Sequence, residues 1–455
     1  MPATVPNPSR AASTHPLLAY DGAGAIAAYR GSRPVTAARL LADILVMAEE
    51  MPDRGHVLNA CSDRYDFAVT ICAAIVRRQV TLLPPSTTPP MIDAMRAFAP
   101  DAYFVSDDPH ASLDLPRMQL PEARDREPPS FDVPRIAADQ LAALVFTSGS
   151  TGEPRPHPKL WGDLVLDAGL EATRLAIGPG HTILGTVPPQ HMYGFESTVL
   201  LPLLSGAALT AERLYLPASI DAAVNAAPAP RTMFITPFHL RAWLEGGEAA
   251  RIETLVSATA PLSAALAREA EERTGARLFE IYGCTEAGQV ATRRTAQTAE
   301  WHAFDGMRLW TENGQAMVAG GHVAQPTALM DVIEVVGDGS HFLLHGRTAD
   351  LVNIAGKRNS LGYLDHQLLS IAGVTDAAFY LPDDEEPDGV TRLMAFVVAP
   401  TLDAATILAS LRGRVDPAFL PRPLVLVDRL PRAISGKLPR EQLRLLAQAH
   451  RRTDK

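Results

Sequence analysis

From about Leu40 to Leu255, apolar runs short enough for strands alternate with amphipathic segments long enough for helices. HVLNA from His56 and AALVFTS from Ala142 are of the first kind. VTAARLLADILVMAEEM from Val35, with small and apolar side chains at three- and four-residue intervals, is of the second. Strand then helix, repeated, demands layered α/β packing, because each helix must lay its apolar stripe on a sheet face. From about Leu351 the pattern continues on a smaller scale. It gives a helix from Tyr363 to Ile371, strands in DAAFYL and RLMAFVVAP, a helix from Ala404 to Arg412, and the run PLVLVDRLP. A chain of 455 residues exceeds one ordinary core. The expected division is a large multi-subdomain N-terminal unit, 1–348, and a small mobile α+β C-terminal lid, 349–455, joined within GRTADLVN. PEARDREPPSFDVPRI, from Pro121, reads as an exposed connection.

Charge and cysteine usage exclude several classes. With 51 acidic against 41 basic residues, a net charge of -10 offers no basic face for nucleic acid, so an anionic ligand must be met by local groups. Cys61, Cys72 and Cys284 have neither paired nor metal-ligand spacing. The N-terminus has no signal-peptide pattern, and no stretch nears about eighteen uninterrupted apolar residues. The expected compartment is the cytoplasm.

Five segments carry chemistry. In LVFTSGSTGEPRPHPK an apolar strand runs into a loop of Thr147, Ser148, Gly149, Ser150, Thr151 and Gly152. Glycines let backbone approach phosphate oxygens, while hydroxyls and amides donate to them. The loop lacks the Lys-Ser/Thr of a nucleotide P-loop, so it is a different cradle or, taken alone, a surface turn. LFEIYGCTEAG offers Tyr282 as a flat face for a base, Thr285 as a phosphate donor and Glu286 as an oxygen ligand for Mg²⁺. SATAPLS, including Ala260, is a tight turn. Asp331 can accept ribose hydroxyls and Arg347 can offset phosphate charge; an ordinary ion pair is the other reading. LPRAISGKLPREQL sets Lys437 in a sharp loop, where a lysine is usually just a solvated charge.

Taken in chain order, the segments resemble the signatures of the acyl- and aryl-CoA synthetase, adenylation-domain and luciferase superfamily, over most of the chain from Val35 to Gln448. The resemblance implies an ATP- and Mg²⁺-dependent enzyme that activates a carboxylic acid as its acyl-adenylate and passes it to a pantetheine thiol of coenzyme A or an acyl carrier protein. It implies nucleotide-binding roles for the Thr147–Gly152 loop, Arg155, Ala260, Tyr282, Asp331, Arg347 and Arg358. Catalytic roles fall to Lys437, Thr285, Glu286 and His191, with Lys437 bridging the attacking carboxylate and the α-phosphate. The segment TVPPQHMYGFES resembles the acid pocket, with His191 at its gate and Tyr193, Gly194, Phe195 and Gly283 near the acid.

The chain departs from the family at Arg155 and Pro156 (usually Lys-Gly), at Ala349 in the hinge and at Asp365 for glutamate. Glu196 could hold the ammonium of an amino acid, but a carboxylate at a helix N-terminus explains it equally, so an aryl acid is favoured and a fatty acid comes next. PPQHMYGFES is also similar to ligases of aryl-polyene and xanthomonadin-type pigment pathways, which load a hydroxybenzoate or related acid onto a carrier protein. Two rivals remain: a non-catalytic nucleotide- or carrier-binding relative, and an NAD-dependent oxidoreductase suggested by G-x-G-x-x-A at Gly22–Ala27 with Asp43 beyond.

Overall fold

A computed structural model describes residues 13–121, 130–148, 154–347, 351–354, 357–382, 392–432 and 438–453. A six-stranded sheet has the order Pro154–Leu160, Leu141–Ser148, Val80–Leu83, His56–Asn59, Tyr103–Val105, Arg117–Met118, and only its first pair is antiparallel. A second, eleven-stranded sheet has a parallel run from Ile26–Arg30 through Ala208–Thr210, Thr182–Gly185, Arg231–Ile235 and Thr254–Ser257 to Arg277–Cys284. Beyond Arg277–Cys284 the pairing turns antiparallel through Gly288–Arg293, Trp301–Ala303, His341–Arg347 and Asp331–Val336. Parallel neighbours require crossover connections, which helices such as Pro237–Glu245 and Ala264–Thr274 supply.

The helix Arg64–Val76 is buried at every position from Arg64 to Ile75, as befits an element enclosed on all sides. Beside it in the largest core lie Ala37–Glu50, capped by the Thr36 hydroxyl, and the helix that starts at Met192. That last helix widens to a π-turn over Glu196–Leu200 before resuming as Leu201–Ser205, and the Leu201 N–H reaches the Glu196 carbonyl. Pro202 accounts for the widening. It has no N–H for the carbonyl four residues back, and its ring would collide with that group in a regular α-turn.

The smaller C-terminal unit has its own core around Leu364, Phe379, Val397 and Ile407. Its three-stranded sheet runs Asp376–Tyr380, Met394–Val398, Leu424–Leu426, and its helix Ala404–Arg412 begins and ends as expected. The 348/349 boundary and the hinge residue Ala349 lie outside the described residues. Asp365 accepts the Phe379 N–H at 2.5 Å, tying this unit's first helix to its sheet.

The dinucleotide-binding rival fails on topology. Gly22–Ala25 form a turn that leads into the strand Ile26–Arg30, whereas the fingerprint must follow a strand and open a helix. Asp43 lies within the helix Ala37–Glu50, buried, accepting from Tyr65 and Arg39.

Candidate active site

Pro154, Pro156 and Pro158 recur at every second residue of an edge strand, where a residue that cannot donate is tolerated. The same alternation gathers Arg155, His157 and Lys159 on the other face. This corrects the expectation that Thr147 and Ser148 already belong to the loop. Thr147 and Ser148 finish a strand, and Arg155 stands directly across from Thr147 on the next, exposed and paired through its backbone. Gly149, Ser150, Thr151, Gly152 and Lys437 lie outside the described residues, as do the side chains of Ser148, Arg347 and Arg358.

Strand Arg277–Cys284, in the interior of the large sheet, brings the aromatic, hydroxyl and carboxylate run to the C-terminal ends of its parallel strands. The Tyr282 hydroxyl donates to Asp331 Oδ2 at 2.8 Å, and Asp331 faces Arg347 across the adjacent strand pair. Residues far apart in sequence are thus brought together. The Tyr282 ring is held against Trp301 and Phe342, with centroids 5.7 and 5.5 Å away. A register shift falls at Gly283, where a Cβ would come 2.6 Å from the Gly288 carbonyl oxygen, so this tight return accepts only glycine. Thr285 is half-buried, and the Glu286 side chain is 35% exposed. Burial, reinforced by Glu286, pushes the Cys284 thiol up to about 12, so it is no nucleophile.

In the turn after Thr254–Ser257, Thr259 has φ +78, a conformation costly for a β-branched residue. The backbone requirement met by glycine in the resembled family is imposed here on threonine, while Ala260 beside it is half-buried. Glu280 steadies the turn by accepting the Leu262 N–H at 3.2 Å while it also binds Arg293 and Thr295.

Behind Thr285 and Glu286 lies a charged interior. Asp167, Glu171 and Glu196 are at most 5% exposed and share their surroundings with Lys159 and His322. Burial pushes the Asp167 carboxyl up to about 7 and that of Glu171 up to about 8, and it raises Glu196 far above the usual range. Lys159 pulls Asp167 and Glu196 back down, and Ser197 and Gln289 do the same for Glu171. His322 bonds the Ala287 carbonyl at 2.8 Å and lies 3.5 Å from Asp167. Gly288, at φ +73, makes room: a Cβ there would stand 3.0 Å from His322, 3.1 Å from Glu196 and 3.2 Å from Asp167. Glu196 is therefore not at an exposed helix N-terminus; it sits inside a continuous helix, in the π-turn, within this cluster.

Of the residues expected near the acid, His191 is partly exposed, and its Nδ1 accepts the Tyr193 N–H at 3.3 Å as a helix cap. Tyr193 is buried and donates to the Val256 carbonyl at 2.7 Å. Gly194 is forced by packing, since a Cβ would meet the Pro188 carbonyl oxygen at 2.1 Å. Phe195 is fully buried, edge-on to Phe67. Sequence reasoning missed His157, Lys159, Asp167, Glu171 and Glu280; for the first two, the proline alternation was the available signal.

Among the described residues no group of three or more His, Cys, Asp or Glu could hold a metal ion. A single accessible carboxylate at Glu286 suits Mg²⁺ that arrives on a triphosphate, because Mg²⁺ commonly takes one or two carboxylates and completes its shell with phosphate and water. No helix of the described residues is long and apolar enough to cross a membrane.

The AMP-binding enzyme family matches residues 56–320. The 4-coumarate–CoA ligase of Rhodobacter capsulatus is 32% identical over 296 residues, covering 64% of this chain and 72% of that protein. The 3-hydroxybenzoate–CoA/4-hydroxybenzoate–CoA ligase of Thauera aromatica is 25% identical over 358 residues, 69% of this chain and 68% of that protein. In fold the chain is similar to ATP-bound MatB from Rhodopseudomonas palustris, with a TM-score of 0.80 at 19% identity, covering 94% of this chain and 97% of the other.

Proposed function

The chain belongs to the AMP-binding enzyme family, and from that premise we propose that it activates an aryl carboxylic acid with ATP, releasing pyrophosphate, and transfers the acyl group to a pantetheine thiol. One observation carries the reading: Thr147 and Glu286, from motifs on two different sheets, flank the same imidazole, His157, at 2.9 and 4.0 Å. The resembled family needs its phosphate loop and its acidic turn adjacent.

In this reading the adenosine end lies along Tyr282, the Ser257–Ala260 turn and Asp331. The Tyr282 hydroxyl holds the Asp331 carboxylate in place, and that carboxylate accepts from a ribose hydroxyl. Thr285 donates to the α-phosphate. Glu286 serves as the protein's ligand for Mg²⁺, which when bound would neutralise triphosphate oxygens. Lys437, on a C-terminal unit proposed to span 349–455, bridges carboxylate and α-phosphate as charge builds in the in-line displacement. Thr147–Gly152 with Arg155, Arg347 and Arg358 complete the anion-binding groups, and His191 stands at the entrance to the acid pocket.

The named relatives act on coumarate and hydroxybenzoates, which favours a hydroxylated aryl acid, and coenzyme A is their acceptor. The PPQHMYGFES resemblance is what keeps a carrier protein as the alternative acceptor. The test is acid-dependent exchange of labelled pyrophosphate into ATP over benzoates, cinnamates, fatty acids and amino acids, followed by trapping with coenzyme A or a pantetheinylated carrier protein. Exchange with hydroxybenzoates or cinnamates is expected. Exchange with amino acids alone would refute the aryl assignment.

A further inference from the structure

Thr285 and Glu286 are held from behind by two side chains that no motif singles out. His157 and Lys159 are successive residues of one face of the edge strand Pro154–Leu160, and both are buried. His157 Nε2 lies 2.9 Å from the Thr147 hydroxyl and 4.0 Å from Glu286 Oε1, while the Lys159 ammonium donates to the Thr285 carbonyl at 2.6 Å. We propose that His157 and Lys159 are positioning residues for adenylation, a two-point clamp that fixes Thr285 and Glu286 against Thr147 before nucleotide arrives.

The inference rests on the adenylation reading above, and three features support it. A buried ammonium is expensive unless acidic groups surround it, and the carboxyls of Asp167 and Glu196, whose charged forms it favours against burial, lie within its field. Among the described residues its hydrogen bond nevertheless goes to a backbone carbonyl, so the cation's direct mechanical effect is on the turn. Pro154, Pro156 and Pro158 restrict the strand that carries both side chains, which suits it to hold a fixed separation. Donors and ligands placed in advance need no reorganisation when charge moves from acid to phosphate, so the clamp should act on the rate more than on acid binding.

The test compares Lys159→Met, Lys159→Arg, His157→Val and the double variant Lys159→Met/Glu196→Gln, which replaces a neighbouring buried carboxyl by its permanently neutral isostere along with the cation and so protects the fold. One readout is hydrogen–deuterium exchange of the amides from Cys284 to Gln289 in the ligand-free protein; the other is pyrophosphate exchange. In Lys159→Met and the double variant, the turn amides should exchange at least about tenfold faster while the Ala404–Arg412 helix is unchanged. Turnover should fall by about tenfold or more with the KM of the acid within about twofold, Lys159→Arg should recover much of both, and His157→Val should show the turnover loss. Wild-type amide exchange in Lys159→Met and the double variant, or wild-type turnover in all four, would overturn the clamp. A wild-type enzyme that exchanges pyrophosphate with no acid overturns the adenylation reading instead, and the amide-exchange arm still decides whether the clamp exists.

Discussion

The two sides of the Thr285–Glu286 turn obey different electrostatics. Outside, Glu286 is 35% exposed and Arg155 stands in solvent, so charges are screened and free to meet an anionic ligand. Inside, three carboxyl groups, one histidine and one lysine are packed almost without solvent, and burial raises the proton affinity of the carboxyls and lowers that of His322. The difference assigns the work. The outer groups can change partners during a reaction, whereas the inner groups can only hold the turn where it is.

Four substitutions or conditions can break or sharpen that division. The largest expected effect is Glu286→Gln, which should lower pyrophosphate exchange by about 100-fold or more while the melting temperature stays within about 2 °C. A large loss of stability would show that the outer side is structural too.

Next comes pH. Glu171 goes from 4.5 to about 8 on folding, and Asp167 from 3.8 to about 7, so between roughly pH 4 and pH 8 the folded protein holds protons that the unfolded chain has released. Stability therefore falls as pH rises through this window, and above it the loss is complete. Glu171→Gln, neutral at every pH, should flatten the decline in melting temperature from pH 5 to pH 8, opening a gap of roughly 5 °C over wild type at pH 8. Parallel curves would mean that the carboxyl is not held protonated.

Gly288→Ala should cost about 1–3 kcal/mol, because it adds a methyl against three polar side chains at φ +73, and thermal unfolding would report it. The smallest effect is expected for Tyr282→Phe, which loses the bond to Asp331 and should raise the KM for ATP roughly fivefold, near 1 kcal/mol, without changing turnover.

The outer side was legible in sequence because its chemistry sits in short contiguous strings: Tyr282 to Glu286 occupy one turn, and the helix Ala404–Arg412 is marked by its own periodicity. The inner side was not. Asp167 and Glu171 are four residues apart on the helix Trp161–Leu175 and look like a solvated face. Only the packing of that helix against the π-turn of Glu196 and the return at Gly288 buries them. The strand Pro154–Leu160 was not anticipated, although prolines at a spacing of two are the signature of a strand that needs no partner on one side. Thr259 shows the converse: a left-handed position survives although the residue best suited to it is absent.

The central claim is that the acid's carboxylate attacks the α-phosphate of ATP. Turnover with a hydroxybenzoate carrying ¹⁸O in its carboxyl group, in the presence of Mg²⁺ and coenzyme A, tests it directly by mass spectrometry of the nucleotide. The expected result is one ¹⁸O in the phosphate of the AMP formed, with unlabelled pyrophosphate. Label in inorganic phosphate alongside ADP, or AMP without label, would contradict it.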